Sequence, residues 1–225
     1  MNDPAMGRLA EAAESWGEPL NAAARANIFS YLCLVREKNK TVNLTADTDW
    51  NDLILKHTAD AVFAVSALRP LLPPTPRILD LGAGAGFIGI GLKIVWPEAA
   101  VTLMESVQRK YRFLNLAATR TGLKGLRVLN RRAGCGAPLT DYELNFDLVI
   151  ERALAELPEA LRLCAPMLGP RGLIAAFQSN EPDPAEPTLA KAMSATFTKV
   201  LKSLAYRRPN EERDRRLVLF TRQED

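Results

Sequence analysis

The chain is poor in the residues that build metal and disulfide centres. Its 225 residues include one histidine, His57, and three cysteines, Cys33, Cys135 and Cys164, far apart and with no C-x-x-C spacing. Zinc sites take several such ligands at short spacing, so no metal centre is expected. An odd, scattered cysteine set suits a reducing compartment. The sequence also lacks an N-terminal signal pattern and any apolar run of the roughly 18–20 residues that cross a bilayer. A cytoplasmic protein with no membrane association is therefore expected. There is no internal repeat and no low-complexity tract. What remains is ordinary globular material, with 48% apolar and 24% charged residues, long enough to bury a core unaided. A net charge of +3 permits nucleic-acid binding without demanding it.

One stretch organises the rest. Arg77-Ile-Leu-Asp80-Leu-Gly82-Ala-Gly84-Ala-Gly86-Phe87 reads as a buried strand entering a glycine-rich turn, and a helix follows to Trp96-Pro97. Alternate glycines let the backbone take positive φ and admit a ligand where a Cβ would obstruct it. The helix N-terminus beyond is expected to offer free N–H groups to a polar ligand. Val101–Met104 reads as a second strand with Glu105 at its end, roughly 20 residues on, where a carboxylate suits a ribose diol. Asp80, before the first glycine, would repel a pyrophosphate and attract a cation, so S-adenosylmethionine is favoured. A Rossmann-like turn for NAD is the competing reading, although counted from Gly82, the first glycine, the spacing is G-x-G-x-G and not G-x-G-x-x-G.

Ahead of this stretch the chain is helical. Met6–Ser15, Leu20–Lys38 and Asp49–Leu68 carry apolar residues at helical spacing, with Thr45 and Asp47 as candidate caps for the third. The proline-rich segment Pro70–Pro76 marks a boundary, giving a helical extension over residues 1–72 and a catalytic domain over 73–225. Beyond it, helices and strands alternate, as in a doubly wound α/β sheet. The helices read as Ser106–Thr121, Leu157–Leu168 and a short Leu189–Met193. The strands read as Leu126–Leu129, Phe146–Ile150, Gly172–Phe177, Phe197–Ala205 and Leu217–Thr221.

Together these motifs look like a class I S-adenosylmethionine-dependent methyltransferase: a Rossmann-like, mostly parallel seven-stranded sheet with helices on both faces. Asn43-Leu44-Thr45, Lys56-His57 with Asp60, Asp80 through Gly89, Pro97, Arg109-Lys110 with Arg112-Phe113-Leu114, Arg132 and Glu151-Arg152-Ala153 occur in that order. The chain thereby resembles the RsmG (GidB) family, from Tyr31 to Gln178 with a looser echo at Arg216-Leu-Val-Leu. The resemblance implies transfer of methyl to N7 of a guanine in small-subunit (16S) ribosomal RNA, with S-adenosylmethionine as cofactor. Ribosomal RNA or the small subunit would be the partner of a monomeric enzyme. Lys56, Ala61, Gly134, Glu151 and Gln178 depart from the family's usual arginine, serine, glutamate, serine and lysine.

The resemblance implies a cofactor cradle of Asp80, Gly82, Gly84, Gly86, Phe87, Glu105, Ala133 and Gly134. It places Arg152 at the catalytic edge, also beside the cofactor, and His57, Arg109, Lys110 and Arg132 toward the RNA. Bland readings stand beside several of these. Arg152 is open to a surface ion pair with Glu151 or Glu156. His57 on an apolar face is open to a structural role tying the N-terminal helices to the catalytic domain. A second basic group, Arg207, Arg208, Arg213, Arg215 and Arg216, is interrupted by Glu211, Glu212 and Asp214 and reads equally as a salt-bridged loop. Guanine N7 carries a lone pair and no proton, which fits a chain without an evident acid–base dyad. No N-P-P-Y follows the fourth strand, which argues against amino-group methylation. A methyltransferase with another substrate and a non-catalytic RNA-binding module are the other open readings.

Overall fold

The computed structural model describes residues 3–135, Thr140 and residues 144–223. Seven strands form one sheet in the order β3-β2-β1-β4-β5-β7-β6. They are β1 Arg77–Leu81, β2 Ala100–Met104, β3 Leu126–Leu129, β4 Phe146–Arg152, β5 Leu168–Gln178, β6 Thr198–Arg207 and β7 Asp214–Arg222. β1 to β5 pair in parallel; β7 runs antiparallel between β5 and β6. The central strands are apolar runs such as Leu148-Val-Ile150 because helices cover both faces.

One face packs under the helices α5 Phe87–Val95 and α6 Gln108–Thr121 and the N-terminal helices. The other packs under α7 Leu157–Cys164 and α8 Pro187–Thr196. The N-terminal layer comprises α1 Pro4–Ser15, α2 Ala22–Val42, α3 Trp50–Asp52 and α4 Ala59–Leu68. Its apolar residues join those of α5 and the sheet in one continuous core. At Gly91 a Cβ would lie 2.7 Å from that of Ala61, so this glycine lets α5 and α4 touch. Among the described residues, no helix is long and apolar enough to cross a membrane.

Most of the expected elements form, with informative differences. The third helix is not α-helical throughout, because Leu53–Thr58 is a π-helical segment between α3 and α4. There the Thr58 hydroxyl donates to the Leu53 carbonyl at 3.0 Å. Asp49, not Thr45 or Asp47, caps this helix, accepting from Asp52 N–H at 3.0 Å. α7 stops at Cys164 instead of Leu168, since Pro166 lies within a 3₁₀ turn, Ala165–Met167, that delivers the chain early into β5. Strand β4 runs through Arg152 rather than ending at Ile150.

Candidate active site

The glycine loop leaves β1 at its carboxyl end, the edge where open α/β sheets bind ligands. Gly82 and Ala83 N–H groups donate to Met104 O at 2.9 and 3.0 Å, tying the loop to β2. Gly86, at φ 85°, is the left-handed residue that turns the chain into α5. From the N-terminal layer, Tyr31 donates its hydroxyl to Ala85 O at 2.7 Å, so α2 braces the same loop. Glu105 is buried at the end of β2, accepting from Gly84 N–H at 2.8 Å and Val107 N–H at 2.6 Å. Each of its oxygens retains a second lone pair.

The first turn of α5 is not left wholly free. Gly89 N–H donates to Asp80 Oδ2 at 2.8 Å. A Cβ at Gly89 would lie 2.3 Å from Leu103 and 2.8 Å from that same oxygen, which explains the fourth glycine of the motif. Asp80 is 3% exposed, and burial raises its carboxyl to about 6 against the opposing pull of the Gly89 N–H. Glu151, 1% exposed, is raised by burial to about 7. Its Oε2 accepts from Leu154 N–H at 3.2 Å, and its Oε1 has no partner. Among the described residues neither carboxyl pairs with a cation. Asp80 thus keeps the chemistry that fits a sulfonium or ammonium group.

Arg152 faces the other way. Its Nη1 donates to Asp60 Oδ2 at 2.8 Å, and its Nη2 donates to His57 Nδ1 at 2.8 Å. The surface pair with Glu151 or Glu156 is not formed. His57 Nε2 in turn lies 2.7 Å from Asp47 Oδ2; Lys56 donates to that oxygen at 2.8 Å and to Oδ1 at 3.0 Å. Burial, then the neighbouring Arg152, lowers the His57 pKa to about 4, so the ring is neutral near pH 7. Asp60, fully buried, also accepts from both Nε and Nη2 of Arg208 at 2.7 and 2.6 Å and from the Tyr206 hydroxyl at 2.6 Å. Burial opposes its ionisation, yet Arg208 and Arg152 hold its pKa below the usual value.

Phe87, expected along the cofactor, stacks on His57 with ring centroids 4.1 Å apart and an 8° tilt. Both nitrogens of His57 are engaged by the protein, so the ring lines the site without a free nitrogen to offer. The structure brings Asp60 to Arg152 directly, Asp47 through His57, and Tyr206 and Arg208 through Asp60. The sequence reading gave none of the four a place at that residue. Asp60 was visible in the family motif, but its partners Tyr206 and Arg208 lie 146 and 148 positions away.

Two clefts open here. One, of about 500 Å³, is lined by Leu81, Gly82, Met104, Ser106, Arg131 to Cys135 and Leu154, and so includes Arg132, Ala133 and Gly134. The other, of about 670 Å³, is lined by Lys56, His57, Arg152, Ala153, Phe177, Gln178, Tyr206, Arg208 and Arg215. They meet at one turn: Ala153 lines the second, Leu154 the first, and Ala155 both. Ala153 sits at φ 57°, rare for a residue with a Cβ, and this reversal after β4 sends Arg152 and Leu154 into different clefts.

The two basic groups differ in kind. In the second, Arg207 pairs with Asp214, Arg208 with Asp60 and Glu211, Arg215 with Glu211, and Arg216 with Glu181, at 2.6–2.8 Å. Arg213 reaches Asn180 at 3.3 Å. The salt-bridged reading holds there. Arg109, Lys110 and Arg112 stand in the first turns of α6 and Arg132 after β3. Of these, Arg109, Arg112 and Arg132 are exposed.

Comparison with known proteins gives a consistent picture. The fold is shared with a magnesium protoporphyrin IX methyltransferase of Synechocystis, solved with bound SAM. That match has a TM-score of 0.58 at 16% identity, covering 91% of this chain and all of that one. A SAM-dependent methyltransferase of Aquifex aeolicus aligns at TM-score 0.54 and 16% identity, over 82% and 97% of the two chains. In sequence, a ribosomal RNA small subunit methyltransferase G of Streptococcus equi is 34% identical over 200 residues, 88% of this chain and 84% of its own length. One of Acetivibrio thermocellus is 30% identical over 213 residues, 94% and 86% of the two. The GidB family model, described as rRNA small subunit methyltransferase G, matches residues 24–213, and the chain belongs to that family.

Proposed function

We propose that this chain transfers a methyl group from S-adenosylmethionine to N7 of a guanine in small-subunit (16S) ribosomal RNA. The observation that carries this reading is the pair of clefts meeting at Ala153–Ala155, one beside the glycine loop and the other beside Arg152. When bound, S-adenosylmethionine supplies a methyl carbon activated by its sulfonium. Asp80 holds the cationic end of the cofactor, with Gly82, Gly84 and Gly86 giving backbone access. Glu105 takes the ribose hydroxyls on its spare lone pairs. Ala133 and Gly134, small and on the wall of the first cleft, leave room for the adenine. The target guanine occupies the second cleft. Its N7 has a lone pair and needs no base, so the protein has chiefly to align the reactants, an effect worth up to ~7–11 kcal/mol in favourable cases. Arg152 still has guanidinium N–H groups beyond those given to Asp60 and His57. One of them donates to guanine O6 and leaves N7 free for attack.

Arg109, Lys110, Arg112 and Arg132 contact RNA phosphates, which position the substrate without reading its sequence. Their lack of carboxylate partners among the described residues supports this assignment over the C-terminal arginines. The test is labelled-methyl transfer to small subunits, free ribosomal RNA and bulk transfer RNA. The modified base is then located by strand scission at N7-methylguanine. Label in a ribosomal guanine is expected; label only in transfer RNA, or at an exocyclic nitrogen, overturns the reading.

A further inference from the structure

We propose that Asp47 and His57 are positioning residues for Arg152: Asp47 fixes the proton of His57 on Nε2, and the bare Nδ1 then aims one arm of the guanidinium. This rests on the reading of Arg152 given above and goes beyond it, because no role in the reaction attaches to Asp47.

Donors and acceptors decide the tautomer. A guanidinium can only donate, so at 2.8 Å from Arg152 Nη2 the His57 Nδ1 must accept. A neutral imidazole that accepts at Nδ1 carries its proton on Nε2. That proton points at Asp47 Oδ2, 2.7 Å away. The other tautomer would set N–H against N–H at Arg152 and leave Asp47 facing a lone pair. The ring cannot rotate to compromise, because Phe87 is stacked flat on it at 4.1 Å. Asp47 is itself fixed. Asn39 Oδ1 accepts from Leu44 and Thr45 N–H at 2.6 and 3.0 Å, and Asn39 Nδ2 donates to Thr45 O at 2.9 Å. Thr45 Oγ1 then accepts from Asp47 N–H at 3.1 Å. The Asn43-Leu44-Thr45 motif thereby clasps the loop that holds the carboxylate. Asp60 aims the other arm of Arg152 at 2.8 Å, so both arms are set from the N-terminal layer.

Because His57 is the only histidine, ¹⁵N-histidine labelling of the parent protein at pH 7 reads its tautomer without interference. A protonated Nε2 and an unprotonated Nδ1 are expected. A proton on Nδ1, or on both nitrogens, overturns the proposal. Substitution separates the two ring nitrogens. In His57→Asn the amide oxygen stands where Nδ1 stood and still accepts from Arg152. In His57→Gln the amide nitrogen stands where Nε2 stood, keeping Asp47 but not the acceptor. Turnover of His57→Asn should stay within about tenfold of the parent and that of His57→Gln fall about a hundredfold, with KM for RNA unchanged in both. Equal turnover in the two overturns the idea. Asp47→Ala should mix the tautomers and lose turnover, and Asp47→Asn, which keeps an acceptor oxygen, should restore both; an unmixed tautomer in Asp47→Ala counts against the proposal. Arg152→Ala, run alongside, separates the failures. Parent turnover there would remove Arg152 from the site while leaving the tautomer result standing.

Discussion

Among the carboxyl groups at or beside the carboxyl edge of the sheet, four fall into two opposed pairs. Asp47 and Asp60, on the side of Arg152, are held by Lys56, Arg152 and Arg208, and their pKa values lie below the usual range although burial opposes this. Asp80 and Glu151, in the neighbouring interior, have no cation at contact distance among the described residues. Burial raises them to about 6 and about 7. The difference separates carboxylates the fold has already neutralised from those it has left in want of a charge. The first kind builds a scaffold; the second is where a cationic ligand gains most.

The largest expected effect is on the saturated side. Asp60→Ala would strand two arginines and a tyrosine in the interior. Breaking a buried pair by removing one partner costs about 3–5 kcal/mol. For a chain of this size that corresponds to a fall of roughly 6–20 °C in Tm. A scanning calorimetry trace that barely moves would mean Arg152 and Arg208 find other partners, and the contrast between the pairs would collapse.

On the unsaturated side Asp80→Asn should behave in the opposite way. The amide oxygen still accepts from Gly89, so the fold should hold, while S-adenosylmethionine loses a charged contact worth about 1.5–3 kcal/mol, or roughly ten- to a hundredfold in Kd. On the proposed reading the cofactor binds the ionised carboxylate. Parent affinity should therefore climb about tenfold per pH unit below 6 and level off above it, and the variant should show no such slope. Isothermal titration at pH 5, 6 and 7.5 makes the comparison; parallel curves would exclude Asp80 as the cation's partner.

Glu151→Gln sharpens the same side with the smallest change. The folded-state pKa of Glu151 is raised from 4.5 to about 7, so the folded chain binds this proton more tightly than the unfolded one. Its stability contribution is intact below about pH 4.5 and is lost as pH rises through 7. Removing the ionisable group should therefore stabilise the protein on the order of 1–3 kcal/mol at pH 8, with no gain at pH 4.5. Urea denaturation at both values reads the difference. A gain of equal size at both would mean that packing, not charge, separates the two side chains.

Much of the fold was legible because the relevant signals are local. Runs such as Leu148-Val-Ile150 and breaks such as Pro70–Pro76 sit in one window of sequence, and Asp80 with the glycines announces the cofactor side. The surroundings of Arg152 were less legible because their bonds are long-range. Nothing near Arg152 says that its partner is Asp60, 92 positions back. Arg208 read as one more loop arginine, although it is 7% exposed and holds Asp60 with two donors. Pro166 was a local signal for the end of α7 that the apolar pattern of the following residues obscured.

The π-helical segment Leu53–Thr58 leaves no such mark, since an i→i+5 turn holds the same residue types as an i→i+4 turn. Its effect is one of phase. It accommodates one residue more than an α-turn, and His57 and Asp60 lie at and after it. Deleting a single apolar residue there, for instance Ile54, would let the helix close into ordinary α geometry at little cost in helical hydrogen bonding. The two flanks would keep their relative bearing, because the wide turn has already absorbed the extra residue, and only residues inside the segment would be re-aimed. Asp60, in α4, would stay on Arg152 while α4 kept its seat on α5, and His57, inside the segment, would be displaced from it. A one-residue deletion with intact helicity by circular dichroism would thus test the aim of His57 separately from the fold.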